Sequence, residues 1–223
     1  MITIKADIKL TEEDAKFIRE LQRQQSAVIR SAYVVSSVFD SEVKIRQHLK
    51  DRFYKKPAYM MMDSWFIQSA LYSGKGSALA DSKLGVESRC YGGRKNFSDR
   101  ASDKISNEDF KIKRLMPLYV IGEAPQSGNR KFNFTSIKEI EFKSHKGKLI
   151  TITLPKFRKN YSKKLTAAFD LANTNGCPIT VSLTANSISF SFEEIRFEHE
   201  KKTIQTRYAG IDLNPNYVGG VCV

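Results

Sequence analysis

One short run carries the sharpest chemistry in the sequence, Gly210-Ile211-Asp212-Leu213-Asn214. Its apolar residues read as a strand that delivers a single carboxylate. Asn214-Pro215-Asn216 then turns the chain into a second strand. An unpaired carboxylate inside a sheet is costly to bury, and a bound metal ion removes that cost. Two-metal phosphodiester hydrolysis uses such an aspartate with further carboxylates, which together hold ions that activate water and stabilise the leaving oxygen. The same aspartate equally suits a cap on the Asn-Pro turn, and the five residues leave both readings open.

The second chemical feature is the distribution of cations. Lys and Arg number 37 against 24 Asp and Glu, a net charge of +13. Between Gln126 and Lys164 there are eleven Lys or Arg and only Glu139 and Glu141 as acids. Lys156, Arg158, Lys159, Lys163 and Lys164 surround Phe157 and Tyr161, and Arg89, Arg94, Lys95 and Arg100 accompany Tyr91 and Phe97. Cations neutralise phosphates and interleaved aromatics stack on bases, so the pattern points to nucleic acid. Any one of these lysines, taken singly, reads as part of a solvated face. Gly92-Gly93-Arg94-Lys95 and Gly128-Asn129-Arg130-Lys131 share a design, a glycine that allows close backbone approach followed by two cations. Each also reads as an ordinary turn. The binding candidates are Arg94, Lys95, Arg100, Arg130, Lys131, Lys156, Arg158 and Lys159.

Other chemistries find no support. Ser73-Gly74-Lys75-Gly76-Ser77 only superficially resembles a phosphate loop, because its lysine precedes the second glycine and the stretch before it reads helical. His48, His145 and His199 have no metal-site spacing, and no Gly-x-Ser-x-Gly is present. Cys90, Cys177 and Cys222 are scattered and odd in number, which fits a reducing cytoplasm and offers no zinc site. No apolar run is long enough to span a bilayer, and the N-terminus lacks a signal-peptide pattern. The expectation is a cytoplasmic protein with no membrane partner.

The elements that must position these residues follow from periodicity. Residues 2–10 alternate as a half-buried strand. Thr11 opens a helix reaching about Val38, Ser41 opens a second, and a third covers about Met60 to Leu71. Gly85 to Lys104 reads as a long basic loop, and Ser106 caps a short helix near 107–114. Strands dominate afterwards: 115–121, 131–134, 140–143, 149–154, 179–183 and 188–195, with one helix near 161–173. The fold class is α+β. The first strand joins the later strands in a barrel-like sheet, with the helices inserted beside it.

Three motifs resemble the N-terminal part of TnpB, the OrfB-type protein family of insertion sequences related to type V CRISPR effectors. Tyr208-Ala-Gly-Ile-Asp-Leu-Asn-Pro-Asn-Tyr-Val-Gly-Gly looks like the family's first RuvC motif. Tyr91-Gly-Gly-Arg-Lys-Asn-Phe, with Lys104-Ile-Ser-Asn-Glu-Asp-Phe and Arg114-Leu-Met-Pro-Leu, looks like the stretch leading back to the wedge domain. Ile121-Gly-Glu with Gly128-Asn-Arg-Lys-Phe is similar to the same group. The resemblance implies a wedge-type β-barrel with a helical recognition insertion, then the first strands of an RNase H-like RuvC domain. Its boundaries would be 1–10 for the first wedge strand, 11–114 for the insertion, 115–205 for the rest of the barrel and 206–223 for the start of RuvC. It implies a guide RNA and a target DNA as partners, base pairing as the source of specificity, and Mg2+ held by Asp212 within a complete carboxylate set.

The sequence ends at Val223, where the family's later glutamate, aspartate and zinc ribbon have no positions. The expectation is a truncated copy, an expressed fragment or the N-terminal half of a split protein, which binds nucleic acid without cutting it, cleavage requiring the rest of the nuclease domain. The rival reading is a stand-alone RNA- or DNA-binding regulator.

Overall fold

The computed structural model describes residues 1–39, 41–86, 88–145 and 147–195, and the backbone of 209–214 and 217–222. Strand β1 (Ile2–Asp7) buries Ile4 and Ala6 on one face, as its alternation requires. Thr11 then caps helix α1 (Glu12–Val35), its hydroxyl accepting the Asp14 backbone N–H at 3.1 Å. Glu12, Glu13 and Asp14 sit favourably at the positive end of that helix. Lys148 reaches across to Glu13 and Asp14 at 2.8 and 2.9 Å. Helices α2 (Glu42–Phe53), α3 (Ser64–Lys83), α4 (Arg94–Ala101) and α5 (Asn107–Lys113) follow before strand β2 (Leu118–Val120). Next come β3 (Phe132–Asn133), β4 (Glu139–Lys143), β5 (Leu149–Thr153), helix α6 (Lys159–Asn173), β6 (Thr180–Leu183) and β7 (Ser187–Phe192). A hairpin of β8 (Ala209–Asn214) and β9 (Tyr217–Cys222) closes the order.

The first strand does join the later ones. β1 runs antiparallel to β7, Ile2 opposite Phe192 and Ala6 opposite Ile188, in a sheet ordered β1-β7-β6-β2. A second antiparallel sheet is ordered β3-β4-β5. The architecture is therefore mixed α+β with small antiparallel sheets, and among the described residues no barrel closes. One hydrophobic cluster unites helices and sheets: Leu21 and Val28 of α1, Phe66 and Ile67 of α3, Phe142 of β4, Phe169 of α6 and Phe190 of β7. Among the described residues no helix is long and apolar enough to cross a membrane.

Two sequence expectations change. The basic loop over 85–104 contains α4, because Asn96 is buried and donates to the Phe110 carbonyl at 3.3 Å while Phe97 meets Phe110 edge-on at 5.1 Å. These contacts come from α5, so no local apolar rhythm announces the helix. Helix α3 also runs on through Ser73–Ser77 to Lys83, despite two glycines of low helix propensity.

Strand β2 pairs with β6 on one side only. Its other edge is satisfied by side chains of α1. Gln25, fully buried, donates its amide N–H to the Tyr119 carbonyl and accepts the Tyr119 N–H, both at 2.7 Å. Gln22 donates to the Met116 carbonyl at 3.0 Å and Ser26 accepts the Met116 N–H at 2.9 Å. One glutamine thus imitates a strand residue and blocks an exposed edge. Gln25→Leu keeps the volume but leaves two backbone groups unpaired, at about 1–3 kcal/mol each. We expect a lower urea midpoint with an unchanged m-value, and an unchanged midpoint would refute the edge-pairing role.

Candidate nucleic-acid interface

Helix α6 begins with an unusual charge arrangement. Arg158 is its N-cap, in an extended conformation and without a side-chain cap bond, and the first turn holds Lys159 and no acidic residue. A helix N-terminus presents unsatisfied N–H groups and a partial positive charge, so cations there oppose the helix and favour an incoming anion. Lys156, Arg158 and Lys159 are exposed and make no ion pair among the described residues. Tyr161 is 46% exposed one turn on. Lys164 is held by Glu194 at 3.1 Å.

A cavity of about 630 Å³ lies beside this start, lined by Ile137, Leu154 and Phe157 together with Lys138, Lys156 and Lys159. The Leu154 N–H donates to the Lys138 carbonyl at 2.7 Å, which brings the beginning of β4 alongside the approach to α6. Lys138 therefore joins the cluster, although it stands eighteen residues before Lys156 in the chain. Chain spacing hides it; only the β4–β5 pairing, with Glu139 opposite Thr153, reveals it. The arrangement can seat phosphates on four cations that have no ion pair among the described residues and apply an apolar floor to a base.

The other candidates divide. Arg94 and Lys95 open α4 directly after its N-cap Gly93, exposed and unpaired among the described residues. Arg100 pairs with Asp103 at 2.8 Å on the surface. Arg130 forms a fork with Glu123 and lies over the Trp65 ring at 4.4 Å. Its hydrogen bonds hold the Glu123 carboxyl below its ordinary range. Lys131 is ion-paired with Asp63, stands 5.1 Å from the Phe66 centroid and is only 11% exposed. Asp63 in turn caps α3, accepting the Trp65 and Phe66 N–H groups at 3.0 and 2.9 Å. Each of these two cations is thus met by a carboxylate, Arg130 at the surface and Lys131 largely under cover. Gly128 has φ +82°, and a Cβ there would meet the Ala172 Cβ at 2.6 Å. The close approach that glycine serves is to α6.

Asp212 lies within β8, opposite Gly219 of β9, and its side chain is outside the described residues. Among the described residues no three His, Cys, Asp or Glu side chains group as metal ligands. Comparison with protein-family models, curated proteins and solved structures found no match.

Proposed function

We propose that this chain grips nucleic acid, as the N-terminal part of an RNA-guided DNA endonuclease of the TnpB/OrfB type. The observation that carries the binding reading is the cluster of Lys138, Lys156, Arg158 and Lys159, exposed, without acidic partners among the described residues, and gathered at a helix start that they destabilise. Cations at a helix start oppose the helix dipole, and such a cluster suits a phosphate backbone. Arg94 and Lys95 extend the same chemistry.

The family reading draws support from element order. All five helices α1–α5 lie between β1 and β2, while β1 pairs with β7, as a wedge strand followed by a helical recognition insertion would. A hairpin with Asp212 in its first strand is compatible with the opening of a RuvC domain. In this reading the chain holds guide RNA and target DNA. Asp212 is then the first carboxylate of the family's metal-binding set, and Mg2+ chemistry belongs to that complete set.

A filter-binding titration at several salt concentrations tests the proposal. It compares structured RNA from the gene's own flank with unrelated RNA and duplex DNA. Preference for the flanking RNA with a steep salt slope is expected. Equal, weak binding to all three would sink the guide-binding reading.

A further inference from the structure

A second cationic site lies among the helices. A cavity of about 720 Å³ is bounded by α1, the 88–91 segment, α4 and Arg114. Four arginines line it: Arg30, Arg52, Arg89 and Arg114. No carboxylate lines it among the described residues. Arg89 is accounted for, since its guanidinium forks onto Asp81 at 2.6 and 3.0 Å and Asp81 also accepts the Tyr33 hydroxyl at 3.1 Å. Arg30, Arg52 and Arg114 have no ion pair with any described residue.

Arg30 and Arg114 are neighbours of like charge. An Arg30 Nη1 N–H donates to the Arg114 backbone carbonyl at 3.3 Å. Burial, and next the charge of Arg114, disfavour the protonated form of Arg30. The Arg114 guanidinium stands 4.9 and 5.1 Å from the Phe97 and Phe110 centroids, and its Nε–H is buried without a partner. Two half-buried guanidinium groups carry ten N–H donors, and few of these are used here. Removing charges from water without a counter-charge is unfavourable, and an anion between them reverses the sign of the interaction.

The rest of the lining indicates which anion. Tyr33 and Tyr91 meet edge-on at 5.5 Å, and together with Tyr59 and Phe97 they give the cavity aromatic walls. Its volume suits a small ligand. A second cavity of about 420 Å³ shares Arg30, Tyr59 and Arg114 with the first and adds Lys111. The two cavities therefore meet at the arginine pair, with aromatic walls on one side and a further cation on the other.

We infer that Arg30 and Arg114 form a phosphate-binding site for a nucleotide whose base occupies the aromatic cavity. The nucleotide is either free or part of a strand whose next phosphate continues toward Lys111. Guanidinium forks match phosphate oxygens, and aromatic faces accept any base. The site is separate from the α6 cluster and holds whether or not that cluster binds RNA.

Isothermal titration at low ionic strength, with AMP, adenosine, inorganic phosphate and a tetra-adenylate with and without a 5′-phosphate, tests the inference on the full chain. AMP should bind saturably, phosphate should compete with it, and adenosine should bind about tenfold or more weakly. Arg30→Gln should reduce AMP affinity about tenfold or more, and Arg30→Lys, which keeps the charge but loses the fork, should fall between. Without ligand, Arg30→Gln should unfold no lower than the parent, because a like charge beside Arg114 has gone, and AMP should no longer raise its Tm. Tetra-adenylate bound more tightly than AMP identifies a strand as the source, and equal binding identifies the free nucleotide. Adenosine binding as well as AMP, no binding of any phosphate-bearing probe, or equal AMP affinity in parent, Arg30→Lys and Arg30→Gln would overturn the site. The Lys156→Ala/Arg158→Ala/Lys159→Ala variant should bind AMP like the parent, which separates this result from the fate of the α6 cluster.

Discussion

Replacing Lys156, Arg158 and Lys159 together by alanine is expected to weaken RNA binding about 100-fold at about 0.1 M salt. Each phosphate neutralised on a single strand contributes about 0.7 to the slope of log affinity against log salt, so three lost contacts flatten it by about two units. At about 0.1 M that change corresponds to about two decades of affinity. The loss should fall alike on all sequences, because these side chains would meet backbone rather than base edges. Stability should not fall with it. Arg158 makes no cap bond and Lys159 opposes the helix dipole, so the variant should melt at or slightly above the parent temperature. A control triple at Lys5, Lys9 and Lys16, all exposed and unpaired among the described residues, removes the same net charge. Equal losses from the two triples would mean a diffuse charge effect and no α6 site.

That dissociation bears on what could be read in the sequence. Signals whose physics is local were legible. Thr11 and Ser106 each cap the helix they precede, with Ser106 accepting the Asp109 N–H at 3.0 Å. The alternation of Leu149–Leu154 buries Ile150, Ile152 and Leu154. Strands β4 and β5 pair antiparallel, Lys143 opposite Leu149, with φ +82° at Gly147 in the segment between them. Signals that depend on remote partners were not. Gln25 looks like any polar residue of an amphipathic helix until Tyr119 is placed against it, and α4 exists through contacts made by α5.

The same division runs through the candidate sites. A run of cations along the chain is visible, but whether each is free depends on the acids that fold up to it. Glu123 and Asp63 take up Arg130 and Lys131, and no described acid takes up Lys156, Arg158 or Lys159. Arg30 and Arg114 stand 84 positions apart and become a pair only in three dimensions. Charge density along a sequence therefore indicates the class of ligand, and the folded ion-pair map decides where that ligand can be held.

The Ser73–Ser77 segment gives the sharpest test of a packing argument. Gly74→Ala is expected to destabilise the protein by about 1–3 kcal/mol, while Gly76→Ala, two positions on in the same helix, stabilises it by about 0.5–1 kcal/mol. Alanine improves helix propensity equally at both positions, so the difference isolates the surroundings. At Gly74 an added Cβ would stand 2.6 Å from both the Ala32 Cβ and the Ile29 carbonyl oxygen, and 2.8 Å from the Tyr33 nitrogen. Two of those three atoms are backbone of α1, so no rotamer change relieves the clash and α1 and α3 must move apart. That movement loosens a contact flanked by Val28, Ile29, Ala32 and Ala70, all essentially sealed from solvent. At Gly76 nothing lies within 4 Å. Urea denaturation of the two variants should give midpoints on opposite sides of the parent. If both rise, α1 and α3 are not packed through Gly74. If both fall by similar amounts, the helix at 73–77 needs glycine for a reason other than that contact.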